Sequence, residues 1–328
     1  MNSKRAWWMT GAAAVVLLAA VFLPSMLRGP GPARQPVLPG NQSRIAPEMA
    51  QMKTEPTISL YRHATGAKEQ IKFEKYLEGV LAAEVGGKMP MEALKSQAIA
   101  ARSMSMAKIK YIKDVQKLHG TDACDLPEHF QAYNPNLITP SIRQAVQETR
   151  GMMILADTDG RAAYALFHAY SPHRTAAITE AFPQQQGLAG SYIRSVPSPG
   201  EKYAPAEQRN WTVSFPKAAV AAAFGTQQDV GDIKVTRTGP SGRALDVTAG
   251  GKTIKSYDLR TKLGGTKLKS TMFTVKNTGD QIVFTGQGWG HGCGMAQWGA
   301  VDYANRGQKA TQILNQYYPN THLVQVYR

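Results

Sequence analysis

Two neighbouring helices, separated by a short break, are the feature of this 328-residue chain that most constrains its fold. Apolar residues recur at helical spacing over Phe73–Leu81, and Gly86, Gly87 and Pro90 then interrupt the helix. A second helix continues to Tyr111 and is rich in alanine and serine, whose small side chains permit close packing. We therefore predict a closely packed helix pair around which the rest of the chain is organised.

The apolar stripe of the first helix leads to a carboxylate. Glu84 stands where the spacing asks for an apolar residue. Burial disfavours the charged form, so the pKa of Glu84 is expected to rise until the group can carry a proton near neutral pH. Lys95 and Arg102 lie two turns apart on one face of the second helix. Spacing alone leaves two interpretations open: a core ion pair between Glu84 and one of these cations, or a functional acid.

The charge of the chain favours anionic partners. The net charge is +15 and the pI is about 9.7, as expected for a protein that meets nucleic acid, a membrane surface or an acidic cell-wall polymer. No run of interleaved basic and aromatic residues marks a nucleic-acid groove, so we expect no nucleic-acid binding. Cys124 and Cys293 are too few for a disulfide framework, and whether they pair is left open.

The N-terminal residues indicate a membrane protein. An uncharged apolar segment at residues 6–27 is long enough to span a bilayer, and two basic residues precede it. A cleaved signal peptide is the alternative, but Pro24-Ser25-Met26 is a poor cleavage site. We predict a single-pass cell-membrane protein whose folded domain lies outside the cytoplasm. Its parts are a cytoplasmic tail at 1–5, a transmembrane signal anchor at 6–27, a flexible linker at 28–55 and one domain at 56–328.

The order of secondary-structure signals indicates the fold class. Helices concentrate before residue 150 and strands after it, with a predicted hairpin at Met152–Ala156 and Ala162–His168. A β meander is predicted over Asp232–Leu263, and two more strands over Met272–Thr285. We predict an α+β fold in which a helix-rich first half packs with a β-rich second half around a substrate cleft, preceded by one N-terminal transmembrane helix.

A loop after the helix pair contains metal-ligand residue types. His119, Cys124 and His129 fall within eleven residues of a polar segment. A closed zinc site needs four such ligands, so three are a weak signal. An ordinary loop with a buried free thiol remains the alternative interpretation.

A glycine-rich stretch near the C-terminus is the second informative feature. Six glycines occur within Gly286–Ala300, interleaved with Trp289, His291 and Trp298. Glycines let the backbone approach a ligand closely, and the tryptophans could stack on sugars or fill a core. A phosphate loop is not expected, because no Lys-Ser/Thr follows and no dinucleotide-binding unit surrounds the stretch.

Four motifs of the chain resemble the stage II sporulation protein D family of cell-wall lytic transglycosylases. The resemblance covers residues 56–328, which it identifies as a catalytic domain of that type. The motifs are YLEGVLAAEV (Tyr76–Val85) with ALKSQAIAARS (Ala93–Ser103), RTKLGGTKLKSTMFTV (Arg260–Val275), GWGHGCGMAQWGA (Gly288–Ala300) and ILNQYYPNTHL (Ile313–Leu323).

The resemblance implies the residues of the active site. Glu84 occupies the position of the family's catalytic glutamate. The predicted substrate-binding residues are Lys95, Arg102, Tyr192, Arg194, His168, Ser171, His291 and Trp298. Arg194 stands where the family has lysine, so it keeps the charge but not the geometry. Glu84 and His291 come from distant parts of the chain, so the fold must bring them into one cleft.

The resemblance also bears on metal binding. Some relatives hold zinc with one histidine and two cysteines in the loop after the helix pair. His119 and Cys124 fit that pattern, but Phe130 stands where the second cysteine would align, which leaves His129 as the substitute. We expect no required cofactor and a structural zinc at most.

The activity implied by the resemblance is cleavage of the MurNAc–GlcNAc bond of peptide-stripped peptidoglycan during sporulation and engulfment. Glu84 would act as general acid and base, and the product would be a 1,6-anhydro-MurNAc end. Expected partners are peptidoglycan glycan strands, a cell-wall amidase and other sporulation membrane proteins. Two alternatives stay open: a non-catalytic peptidoglycan-binding amidase enhancer, and a metal hydrolase built on His119, Cys124 and His291.

Overall fold

The computed structural model describes residues 44–226 and 229–328. The predicted tail and signal anchor, and the predicted linker as far as residue 43, lie outside the described residues. Within the described ranges, no helix is both long enough and apolar enough to cross a membrane.

Helices and strands occur along the whole described chain. The helices are α1 (Pro47–Ala50), α2 (Phe73–Glu84), α3 (Met91–Ala107), α4 (Asp114–His119), α5 (Pro140–Glu148), α6 (Ile178–Ala181), α7 (Gln186–Ala189), α8 (Ala206–Arg209), α9 (Lys217–Phe224), α10 (Ser256–Leu263), α11 (Gln297–Asn305) and α12 (Ala310–Tyr317). The strands are β1 (Thr57–Tyr61), β2 (Lys68–Lys72), β3 (Ala123–Cys124), β4 (Met152–Ala156), β5 (Phe167–His168), β6 (Trp211–Pro216), β7 (Lys234–Thr238), β8 (Ala244–Ala249), β9 (Lys252–Lys255), β10 (Phe273–Thr278), β11 (Gln281–Gly286), β12 (Met295–Ala296) and β13 (Thr321–Gln325).

The predicted helix pair forms as α2 and α3. The apolar residues of α2 from Phe73 to Leu81 are fully buried, and Gly86 takes a left-handed φ of 64° directly after the helix. Gly87 packs on the Thr139 side chain, where a Cβ would collide with the hydroxyl. The small residues of α3 let it pack against α2, α5, β4, α11 and α12 at once, so it is the central helix of the fold.

A first core surrounds the helix pair and is completed by the end of the chain. The C-terminal helices α11 and α12 pack on α3, and β13 pairs antiparallel with β4. The strand β1 lies between β2 and β3 and pairs parallel with β3. The first and last parts of the described chain therefore share one apolar interior.

A second core lies in the segment between these two parts. The antiparallel sheets β10–β11–β6 and β7–β8–β9 enclose it together with α9 and α10. The mixed helix and strand content fits the predicted α+β class. The predicted helix-rich first half is present, but the second half holds helices as well as strands, including α11 and α12 of the first core.

Two local predictions differ from the structure. Residues Ser256–Leu263, assigned to the meander, form helix α10, in which Leu259 and Leu263 are spaced by one turn and face the second core. The predicted hairpin reduces to a single bridge between Leu155 and Ala162, because β4 pairs with β13 and β5 pairs with β12. Both differences arise where tertiary contacts outweigh local pattern.

The packed part of the chain begins earlier than residue 56. Within the range assigned to the linker, the Ala46 amide donates to Gly160 O (3.0 Å), and Met49 is 1% exposed in the first core. Glu55 accepts from the Glu74 amide and pairs with Arg150 at 2.6 Å. Part of the range assigned to a flexible linker is therefore held by burial and hydrogen bonds.

Candidate functional site

Glu84 is the last residue of α2, and its carboxyl faces a groove. Burial raises its pKa to about 7, since little water is left to solvate the charged form. The Ala132 amide donates to Glu84 Oε1 (3.0 Å) and offsets part of this increase. The expected raised pKa is therefore present, and its cause is burial in the apolar wall of the helix.

The segment that supplies this amide is fixed along α2. The Tyr133 ring stacks on Tyr76 with a centroid distance of 5.5 Å, and the Asn134 amide donates to Gly79 O (3.0 Å). A Cβ at Gly79 would overlap the Tyr133 ring, so glycine is required for this approach. The loop after β3 is thereby held against the helix at the height of Glu84.

Glu84 lines two cavities. The first, here called the histidine-side cavity, has a volume of about 390 Å³ and is lined in part by Tyr164, His168, Tyr257, Arg260, Trp289 and His291. The second, here called the tryptophan-side cavity, has a volume of about 260 Å³ and is lined in part by Met89, Gln208, Gln297, Trp298 and Val301. The carboxyl thus stands between two spaces. The structure brings Glu84, His168, His291 and Trp298 together, as expected.

His168 is locked in place inside the wall of the histidine-side cavity. Its Nδ1 lies 3.1 Å from Cys293 O and must carry the proton, so Nε2 accepts from the Ser171 hydroxyl at 2.5 Å. Burial holds the pKa of His168 well below its usual range. Both ring nitrogens are engaged, so His168 shapes the wall and is not available for proton transfer.

Ser171 is a support for His168 and not a substrate contact. It is completely buried and also accepts a hydrogen bond from Arg243 Nη2 (2.7 Å). The prediction that Ser171 binds substrate is therefore wrong. Its hydroxyl is fully used in a buried chain that runs from Arg243 to the His168 ring.

The glycine-rich stretch packs on protein rather than on a ligand. Gly290 has a φ of 109°, and a Cβ there would lie 2.7 Å from the His168 Cβ. Gly292 has a φ of 85°, and a Cβ there would lie 2.5 Å from the Arg243 guanidinium. Because Gly290 and Gly292 take positive φ values, the backbone on both sides of His291 packs closely on the protein. The His291 ring thereby lies against the His168 ring, with a centroid distance of 5.6 Å.

His291 is neutral in the folded protein. Its Nδ1 accepts a hydrogen bond from the Cys293 amide (3.1 Å). Burial and then the charge of Arg260 lower its pKa to about 3. The ring also hydrogen-bonds to the Phe167 backbone, so His291 adds no charge near Glu84 and is held by both of its nitrogens.

The structure places Arg102 in the core. Its guanidinium is fully buried and forms a bidentate pair with Glu74, with Nε to Oε1 at 3.0 Å and Nη2 to Oε2 at 2.6 Å. Glu74 also accepts from Tyr327 Oη (2.5 Å) and from the Gly151 amide (3.1 Å). The predicted substrate contact is wrong for Arg102: a core ion pair does exist, but its acid is Glu74 and not Glu84.

Lys95 is also occupied elsewhere. Its ammonium pairs with Glu148 (2.5 Å) and Glu92 (3.2 Å), and the hydrogen bond to Glu148 raises its pKa. Lys95 lines neither cavity beside Glu84. Lys95 is therefore not a partner of Glu84.

Tyr192 and Arg194 do not meet at the site. Tyr192 is 1% exposed and its hydroxyl accepts from the Tyr164 amide (2.8 Å), so it acts on the cavity only by holding Tyr164. Arg194 is exposed, donates to Ser191 O (3.3 Å) and lines a separate surface depression with Thr179. Neither contacts the space beside Glu84, which corrects both predictions.

A second cluster of functional side chains lies in the loop region after α3. His63, His119, Cys124 and His129 place their ligand atoms within 4.8 Å of one another. His63 Nδ1 lies 2.8 Å from Asp125, and its buried Nε2 has no hydrogen-bond partner among the described residues. His291 is not part of this group. The predicted metal hydrolase needs His119, Cys124 and His291 at one metal ion, and the structure does not bring these three residues together.

These four residues fit a zinc ion. Three imidazoles and one thiolate are a set that zinc prefers, and an orphaned Nε2 is a free lone pair for it. The Asp125 carboxylate fixes the tautomer of His63, as supporting carboxylates do at zinc-binding histidines. His129 lies on the same loop as Tyr133, four residues before it, and also lines the histidine-side cavity. An ion here would tie the wall of that cavity to β1 and α4.

Sequence reasoning missed His63 and Arg260. His63 comes from the turn after β1, and the parallel pairing of Tyr61 with Cys124 carries it to the cluster. Only knowledge of that pairing could have found it. Arg260 lies in the motif RTKLGGTKLKSTMFTV and within the predicted β meander, and a strand there gives no reason to expect its side chain at the cavity.

Comparison with known proteins identifies the family. A family model described as stage II sporulation protein matches residues 61–155, which contain α2, α3 and the four-residue cluster. A second model, described as a domain of unknown function (DUF8618), matches residues 211–294, the segment of the second core and the glycine-rich loop.

Full-length relatives extend this match. The chain is 30% identical over 289 residues to stage II sporulation protein D of Bacillus subtilis (strain 168), covering 83% of this chain and 80% of that protein. It is 29% identical over 280 residues to the protein of the same name from Bacillus amyloliquefaciens, covering 80% and 77%. A shorter match, 43% over 70 residues, covers 21% of this chain and 10% of the amidase enhancer of Bacillus subtilis (strain 168). The chain belongs to the stage II sporulation protein D family.

Proposed function

We propose that this protein is a lytic transglycosylase that cleaves the glycan strands of peptidoglycan at MurNAc–GlcNAc bonds during sporulation. The observation that carries the proposal is Glu84, a carboxyl with a pKa of about 7 between two cavities. Its relatives are named for sporulation, which supports the biological setting.

The proposed mechanism needs one titratable group. Protonated Glu84 donates its proton to the glycosidic oxygen as the bond to the departing sugar breaks. The 6-hydroxyl of MurNAc attacks its own anomeric carbon, and the Glu84 carboxylate then accepts the hydroxyl proton. The product is a 1,6-anhydro ring, and Glu84 is returned to its protonated form.

The experiment is product analysis with a matched pair of variants. Glu84→Gln removes the proton donor and is expected to lower the rate of glycan cleavage by about 10²- to 10⁴-fold or more. Glu128→Gln is the control, because Glu128 is an exposed carboxyl at the edge of the same cavity. Mass spectrometry separates anhydro ends from reducing ends, which differ by one water.

The outcomes distinguish the reaction classes. Anhydro ends from the native chain and from Glu128→Gln, but not from Glu84→Gln, support the proposal. Reducing ends that require both carboxyls would indicate two-carboxylate hydrolysis instead. Retained turnover in Glu84→Gln would overturn the assignment of the acid.

We further propose that His63, His119, Cys124 and His129 hold a structural zinc. Four protein ligands close the coordination sphere, so the ion would supply cross-linking of the loop and no open position for water. His129 and Ala132 lie on one loop, so an ion bound to His129 would help to fix the Ala132 amide that donates to Glu84.

The second candidate function is that of a peptidoglycan-binding amidase enhancer. The match to the amidase enhancer favours it, but extends over only part of the chain. A purified amidase assayed with the native chain and with Glu84→Gln tests it: equal stimulation by both, with no anhydro products from the native chain, would support binding as the primary role. We also propose that the domain lies outside the cytoplasm, tethered to the cell membrane, where glycan strands, an amidase and other sporulation membrane proteins are its partners.

A further inference from the structure

Arg260 is a cation that lines the histidine-side cavity. Its Nε donates to Lys269 O (3.3 Å) and its Nη2 to Gly265 O (3.0 Å), both neutral acceptors. Among the described residues no carboxylate forms an ion pair with it. A Cβ at Gly265 would lie 2.9 Å from Nη2, so a glycine is needed to hold the guanidinium in this position.

The other cation of the cavity shows the contrast. Lys108 pairs with Asp114 (2.6 Å) and also donates to His129 O (2.8 Å), so its charge is compensated. Arg260 is largely withdrawn from water, and burial lowers its pKa, yet a guanidinium remains charged. A desolvated cation without a counter-ion is costly, and one that lines an open cavity can be compensated by an anion that binds there.

The position of Arg260 identifies the anion. It lines the same space as Glu84 and His291, where the proposed function places the sugar being cleaved. A glycan strand of alternating GlcNAc and MurNAc carries one kind of acidic group, the carboxyl of the lactyl ether on MurNAc. That carboxyl is ionised when the stem peptide is absent and is a neutral amide when the peptide is attached.

We propose that Arg260 receives the lactyl carboxylate of MurNAc and thereby selects strands from which the stem peptide has been removed. The inference rests on the proposed function, because it places MurNAc in the histidine-side cavity. A guanidinium matches a carboxylate with two parallel hydrogen bonds, whereas an amide presents one acceptor and no charge.

Binding measurements test the inference without cleavage. All variants carry Glu84→Gln, and isothermal titration compares two glycan oligosaccharides: one with free lactyl carboxylates and one in which these are converted to methylamides. With Arg260 present, the free form is expected to bind about 10- to 100-fold more tightly. Arg260→Gln should weaken binding of the free form by a similar factor and leave the methylamide form unchanged. Arg260→Lys should retain part of the preference.

Lys255→Gln is the matched control, because Lys255 lies just before α10 but pairs with Asp246 on the surface (2.8 Å). It should leave both affinities unchanged. Equal binding of the two glycans by the protein with Arg260 intact would overturn the inference, whatever the stability of the Arg260 variants. So would an equal loss for both glycans in Arg260→Gln. Absence of anhydro products from the native chain would overturn the proposed reaction. It would leave the inference about Arg260 standing if the preference for the free carboxylate is still lost in Arg260→Gln.

Discussion

At the scale of single residues, the proposed chemistry depends on how Glu84 is kept protonated. The group ends a helix, accepts one backbone hydrogen bond and faces a groove with a neutral imidazole, His291. The cations that sequence spacing placed near it, Lys95 and Arg102, are paired with Glu148 and Glu74. Burial is therefore the dominant influence, and a raised pKa follows.

The pH dependence of the proposed cleavage follows from this pKa. Glu84 must be protonated to act as the acid, so kcat/KM for glycan strands is expected to fall about tenfold per pH unit above about pH 7. Below pH 7 this group imposes no decrease. His168 and His291 are neutral down to lower pH and add no ionisation there. A pH–rate profile measures this, and a rate that increases through pH 7 would contradict it.

At the scale of secondary-structure elements, a buried ion pair joins α2 to α3. Arg102→Met is expected to lower the free energy of unfolding by about 3–5 kcal/mol, because it leaves the Glu74 carboxylate buried without its partner. Lys95→Met, which removes a partly exposed pair, should cost less than about 1 kcal/mol. Urea unfolding compares the two. A normal stability for Arg102→Met with weakened glycan affinity would instead restore Arg102 as a substrate contact.

A metal ion would join four elements that are otherwise held by few contacts. His63→Ala is expected to remove bound zinc and lower the melting temperature, because the turn after β1 loses its tie to α4, β3 and the His129 loop. Elemental analysis and thermal unfolding with and without chelator measure both effects. His322→Ala is a control, since His322 pairs with Asp157 outside the cluster. Equal zinc content in His63→Ala and the native chain would exclude His63 as a ligand.

The helix pair could be predicted from sequence because its signals are local. The apolar spacing of α2 and the Gly-Gly break set its limits within a few residues. The position of Glu84 followed from the same spacing. Helix α10 was missed because its eight residues alternate in polarity as a strand would, and only packing of Leu259 and Leu263 on the second core decides between the two.

The partners of the charged residues could not be predicted, because they come from distant segments. Glu74 meets Arg102 across 28 positions, and Arg243 meets Ser171 across 72. His63 reaches Cys124 only through the parallel pairing of β1 with β3. Sequence spacing reports neighbours on one helix, so it suggested Lys95 or Arg102 as the partner of Glu84 when each had a partner elsewhere.

At the scale of the whole molecule, residues 44–55 are part of the folded unit. A chain that starts at residue 56 is expected to be less stable than one that starts at residue 44 by about 2–5 kcal/mol, since it loses the buried Met49 side chain and the Glu55–Arg150 pair. Met49→Ala in the longer chain should reproduce much of the loss. Thermal unfolding of the three proteins checks this, and identical melting temperatures would place the start of the fold at residue 56.

The interior of the first core also determines the order in which the protein can fold. Tyr327 completes the hydrogen bonds of Glu74 from 253 positions away, and β13 supplies the partner strand of β4. Contacts between such distant positions form late and slow the folding of a chain. The segment of the second core has its own apolar cluster and can collapse earlier. We therefore expect a transient folding intermediate in which β13 has not yet paired with β4 and the first core around α2 is incomplete. The proposed active site at Glu84 is then the last part of the molecule to form.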